Sequence, residues 1–69
     1  MATFEEYRLR SGLSRRGFAI AAGVSHSTIG RIENGTPVSK NSAYKVLITL
    51  EKIYGRKFEV SDLEGIKIL

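Results

Sequence analysis

Gly23, Val24 and Ser25 constrain this chain more than any other three residues. They separate two runs of helical spacing and leave no room for a flexible linker. Upstream, Phe18, Ala19 and Ala22 fall on one face of a helix. Ser14 can cap that helix, because its hydroxyl can accept an otherwise unpaired N–H of the first turn. Gly23 stops it, since glycine enters the left-handed region without a Cβ penalty. Val24 plugs the turn. Ser25 caps the second helix, and His26, Ser27 and Thr28 fill its first turn. Ile29 and Ile32 face back toward the first helix, and Asn34-Gly35 ends the unit. The run from Arg15 to Asn34 therefore predicts two short helices joined by a tight turn.

Two helices this short cannot bury enough surface alone, so the rest of the chain must support them. The chain has 69 residues, of which 42% are apolar. That length allows one small domain over residues 1–69, burying about 60% of its unfolded surface. With no cysteine there are no disulfides and no thiolate ligands. One histidine excludes a histidine cluster, and Glu33, Asp62 and Glu64 lack a metal-ligand spacing. No metal or other cofactor is expected. No apolar run approaches the ~20 residues of a membrane span. No signal peptide is visible at Met1, so the expectation is a cytoplasmic protein without a membrane partner. Eleven basic against seven acidic residues give a net charge of +4, which favours polyanionic partners.

The supporting elements follow from the same cues. Thr3-Phe4-Glu5-Glu6 fits a capping box. Phe4 and Tyr7 begin an apolar face that Leu9 and Leu13 continue. This predicts a helix from Phe4 to about Arg10, ended by Ser11-Gly12. Pro37 fixes its own φ and pushes Thr36 out of the helical region, so Thr36 to Ser39 is a turn. Ser39 or Ser42 can cap the last helix. Ala43, Val46, Leu47, Leu50, Ile53 and Tyr54 then recur at helical spacing from about Lys40 to Tyr54, with Gly55 as the stop. Tyr44 and Tyr54 read as core-edge residues. Beyond Arg56 the pattern changes. Phe58 and Val60 alternate with charges, and Ser61 to Glu64 reads as one capped helical turn. Ile66, Lys67, Ile68 and Leu69 alternate like an extended tail. Its apolar residues are expected to pack on the first or last helix, or on a second chain.

The face opposite Ile29 and Ile32 carries His26, Ser27, Gly30 and Arg31. It is polar, low in profile and ends in a guanidinium, which suits a DNA major groove. Gly30 either thins that side for a phosphate or base edge, or is merely tolerated in the helix. No acid, base and nucleophile can be assembled, so catalysis is not expected.

The order Ala19, Gly23, Val24, Ile29 and Ile32 resembles the helix-turn-helix of phage repressor and Cro-type proteins, the XRE family. Gly12-Leu13-Ser14 before it and Arg31-Ile32-Glu33-Asn34-Gly35 after it are similar too. The resemblance runs from Phe4 to about Leu63. It implies an all-α fold, a compact lambda-repressor-like bundle of four to five helices. It also implies a transcriptional regulator, acting as a repressor, that binds operator double-stranded DNA as a homodimer without catalysis. Residue by residue, His26, Ser27 and Arg31 match positions that read base edges. Ser14, Arg15, Thr28 and Asn34 match positions that hold phosphates. The helix starts at Ser25 and Lys40 are expected to add phosphate contacts, because hydroxyls and free backbone N–H groups suit phosphate oxygens. Arg8 and Glu33 match a partly buried ion pair. The chain departs from the family in carrying Arg15 where glutamine is common and Gly17 where glutamate is common. Arg15-Arg16 makes that helix start unusually basic, against the helix dipole but favourable beside phosphate. The stretch from Gly35 to Gly55 is longer than in many relatives. A second functional class is a protein-interaction module, such as an antitoxin or a bridging coactivator. The last helix and the Ile66 to Leu69 tail would carry that contact.

Overall fold

Hydroxyls open the helices and glycines close them. The computed structural model describes residues 2–69. The chain runs through β1 (Ala2–Thr3), α1 (Phe4–Ser11), α2 (Arg15–Ala22), α3 (His26–Asn34) and α4 (Lys40–Tyr54). A 3-10 turn (Val60–Asp62) and β2 (Leu63–Glu64) complete it. Thr3 accepts the Glu6 N–H while the Glu6 carboxylate returns to Thr3, which is the capping box read from the sequence. Ser14, Ser25 and Ser39 accept N–H groups from Gly17, Thr28 and Ser42. Of the two serines that could cap α4, Ser39 does so. Gly23 takes the left-handed conformation at φ 72°, and the next N–H, from Val24, reaches back to the Ala19 carbonyl at 3.0 Å.

These caps fix where helices start and stop, and apolar burial fixes how they pack. Phe18 and Ile29 are fully buried where α2 meets α3. Phe4 of α1 sets its ring edge-on to Phe18 at 4.9 Å. Ala43, Val46, Leu47 and Leu50 of α4 close the core from below. Each large side chain buried this way contributes about 1.5–3 kcal/mol relative to its exposed state. Tyr54, rather than Ile53, closes the last turn of α4. Its hydroxyl donates to the Tyr7 carbonyl at 2.7 Å, and its ring meets Tyr7 and Phe58. Ile53 is left exposed, as are Leu9 and Tyr44.

The C-terminal part corrects the expectation of an all-α fold and sets the helix count at the lower of the expected four to five. The described residues hold four α-helices, and the fifth element is a single 3-10 turn. Leu63–Glu64 and Ile68 instead make strand pairings on either side of a turn at Gly65, which takes a left-handed φ of 80°. β2 pairs with β1 in parallel, Ala2 opposite Leu63 and Thr3 opposite Glu64. Ile68 then bridges Val38 in the α3–α4 connection. The Val38 N–H donates to Lys67 at 3.0 Å and the Leu69 N–H donates to Val38 at 2.9 Å. The tail thus pairs with the loop before α4, where the sequence pointed to the first or last helix or to a second chain. Ile66 and Ile68 pack half-buried against the core, and Leu69 stays exposed.

The pairing makes the tail part of the fold. Deleting residues 65–69 removes both Val38 bonds and the cover from Ile66 and Ile68, an expected loss of about 2 kcal/mol. For a domain this small the melting midpoint should fall by roughly 8 °C or more. A thermal melt followed by circular dichroism checks this, and an unchanged midpoint contradicts it.

Candidate nucleic-acid interface

Burial divides α3 into two faces. Ile29 is 0% and Ile32 4% exposed on the inner side. Ser27 and Arg31 are exposed on the outer side, with half-buried Gly30 between them, and His26 is exposed at the start of the same helix. The fold therefore brings the three residues expected to read bases together on the exposed part of one helix. A Cβ built on Gly30 meets nothing within 4 Å, so no packing within the chain demands a glycine there. Gly17 differs, since an added Cβ would press on the Ser14 hydroxyl at 3.2 Å.

The residues expected to hold phosphates lie around that face. Ser25 and Thr28 stand at its start. Their hydroxyls bond each other at 2.8 Å, and Ser25 also takes the Thr28 N–H, so both side chains take part in the cap. Asn34 stands exposed at the other end of α3, and Ser14 and Arg15 at the start of α2. Lys40 opens α4, with its ammonium 5.8 Å from the centre of the Tyr44 ring.

Glu33 joins these elements. Its side chain is only 1% exposed. Arg8 Nε donates to Glu33 Oε2 at 2.6 Å, which is the ion pair implied by the resemblance. Arg8 Nη1 donates in addition to the Leu13 carbonyl at 2.9 Å, tying α1 to the turn before α2. The other carboxylate oxygen, Oε1, accepts from Arg15 Nε at 2.8 Å. Sequence reasoning missed this second bond, treating Arg15 as a phosphate ligand alone. The available signal was Arg15 itself, a long cation at the start of the helix beside α3. Arg56 was also missed. It lies over the Phe58 ring at 3.9 Å and donates to the Tyr7 hydroxyl at 3.1 Å, fastening residues 55–58 to α1.

A buried carboxylate with two arginine partners is costly to disturb, because removing its charge leaves Arg8 uncompensated among apolar neighbours. Glu33→Gln should cost about 3–5 kcal/mol. An exposed pair would cost about 0–1 kcal/mol. Chemical denaturation of the two proteins decides between these values. A loss under 1 kcal/mol would mean that the network contributes little to the fold.

Among the described residues no group of His, Cys, Asp or Glu is arranged to hold a metal ion, and no helix is long and apolar enough to cross a membrane. No curated protein and no solved structure matches the chain. A family model described as a helix-turn-helix domain matches residues 2–53, well over half of the sequence. That span contains the whole of α2, the Gly23 turn and α3. Two capped helices, a left-handed glycine between them and an exposed polar face on the second are what such a domain requires, and the chain belongs to the helix-turn-helix domain family.

Proposed function

We propose that this chain is a sequence-specific double-stranded-DNA-binding transcriptional regulator that inserts α3, from its cap Ser25 to Asn34, into the major groove. One observation carries the reading. Ser27 and Arg31, one helical turn apart, are exposed opposite the buried Ile29 and Ile32, and His26 is exposed at the start of the same helix. α3 has nine residues, roughly 13 Å of helix. The major groove is about 12 Å wide and admits a helix of that kind. Arg31 then offers its fork to the O6 and N7 of a guanine, while His26 and Ser27 address neighbouring base edges. Ser14, Arg15, Ser25, Thr28, Asn34 and Lys40 flank the reading face and set its register on the phosphates. A homodimer on a palindromic operator, with half-sites about 34 Å apart, would act as a cytoplasmic repressor by occupying the site. Such binding needs no cofactor and no catalytic group.

A second reading draws on α4. Tyr44 and Ile48, one turn apart, are 47% and 51% exposed, which leaves an apolar strip on the outside of the domain. That strip fits a protein-interaction module, of the antitoxin or coactivator kind. A mobility shift on random duplex at low salt separates the readings, since a pure interaction module leaves the duplex unshifted.

Two arginines provide the sharper test. Arg31→Ala and Arg15→Ala each remove one positive charge, yet their effects should differ. Arg31→Ala should lose ~1–3 kcal/mol on a selected site and little on random duplex. Arg15→Ala should weaken both DNAs alike and lower the salt slope by about one unit. Affinities on both DNAs at several salt concentrations give the answer. Equal losses for Arg31→Ala on the two DNAs would make it a phosphate clamp, and base reading would pass to His26 and Ser27.

A further inference from the structure

We propose that Glu33, whose side chain is too buried to touch a duplex, is a positioning residue for DNA binding. It holds Arg15 by Nε so that the two outer nitrogens of the guanidinium face a backbone phosphate. This rests on the DNA-binding reading above. The geometry supplies three supports. Each Glu33 oxygen takes one arginine, Oε2 from Arg8 at 2.6 Å and Oε1 from Arg15 at 2.8 Å. Two guanidinium groups on one carboxylate leave one positive charge in surplus. That surplus sits on Arg15, because its side chain is 49% exposed while that of Arg8 is 9% exposed. Arg8 also has its Nη1 tied to Leu13. Among the described residues the two Nη groups of Arg15 carry no hydrogen-bond partner. Arg15 itself is the first residue of α2, next to the Ser14 cap, where backbone N–H groups still lack partners within the helix.

Arginine suits this task and lysine does not. The guanidinium is a rigid planar fork, so one nitrogen can bond inward while the others bond outward. A lysine has a single ammonium, which must choose between Glu33 and a phosphate. Holding the side chain in place before DNA arrives also removes most of the ordering cost that a free arginine would meet on binding. The same bond explains how a residue buried in the fold can affect affinity without adding to the charge that DNA meets.

The test is a cycle of four proteins: wild type, Arg15→Lys, Glu33→Gln and the double variant. Each is checked for fold by circular dichroism and measured for affinity to one generic duplex by fluorescence anisotropy. Arg15→Lys keeps the net charge, so a change cannot come from charge count. It should weaken binding on the order of threefold or more, and that loss should vanish in the Glu33→Gln background. A purely structural role for Glu33 would leave the lysine effect the same in both backgrounds. Arg15→Lys binding like wild type, or losing equally in both backgrounds, overturns the proposal. If Glu33→Gln fails to fold, Arg15→Lys and Arg15→Ala decide: affinity near the alanine variant supports the proposal, and affinity near wild type overturns it. A wild type that binds no duplex sinks the DNA-binding reading and this inference together. A wild type that binds, matched by the lysine variant, sinks only the positioning role.

Discussion

The Glu33 carboxylate is the point on which the arrangement of the first three helices depends. A charge whose side chain is 1% exposed is tolerable only when fully paired, and its two oxygens take Arg8 and Arg15. Arg8 brings α1 and, through the Leu13 carbonyl, the turn before α2. Arg15 brings the start of α2. The α2–α3 pair is thereby closed at both ends, by the three-residue turn at Gly23 and by the ion pair at Arg15. The apolar contact of Phe18 with Ile29 alone would fix the distance between these helices more firmly than their rotation. The paired charges add a second constraint on that rotation, beside the burial of Ile29 and Ile32 on the inner face of α3.

The remaining parts of the molecule serve that presentation. α4 supplies the deepest apolar cover, with Ala43, Val46 and Leu50 at 0% exposure. The Tyr7, Tyr54 and Phe58 rings, capped by Arg56, fasten the end of α4 to α1. The parallel pairings of Ala2 with Leu63 and of Val38 with Ile68 hold the C-terminal stretch against both the start of the chain and the loop after α3. A chain of 69 residues has little core to spare, so these edge contacts matter more than they would in a larger domain. α3 itself contributes only two fully committed apolar side chains and leaves its outer face free of packing, including the open space beside Gly30.

What could be read from the sequence was local. The caps at Thr3, Ser14 and Ser25 were legible because a hydroxyl and the N–H it accepts lie three residues apart, whereas for α4 the sequence left Ser39 and Ser42 both open. The bounds of α4 were legible because its apolar spacing persists over four turns. The outward placing of Ser27 and Arg31 followed from Ile29 and Ile32 by helix geometry, and His26 is exposed as the first residue of the helix. The Arg8–Glu33 pair came only through resemblance, since nothing in the spacing of residues 25 apart predicts contact. The Arg15–Glu33 bond escaped for the same reason. The parallel pairing of β1 with β2 joins two-residue segments from opposite ends of the chain, and strands so short carry no periodicity to read. Ile53 and Tyr54 both fit the apolar stripe of α4. Only the positions of Tyr7 and Phe58 decide that the tyrosine goes in and the isoleucine stays out.

The account turns on which surface meets a duplex, and a nitrogen-15 NMR titration with duplex DNA maps that surface directly. The backbone amides of residues 25–31 and 14–17 should show the largest shifts, with Gly30 among them. The amides of residues 57–69 and of the last turn of α4 should move little. Shifts centred on Tyr44 and Ile48 with α3 silent, or no shifts at any DNA concentration at low salt, would contradict the account.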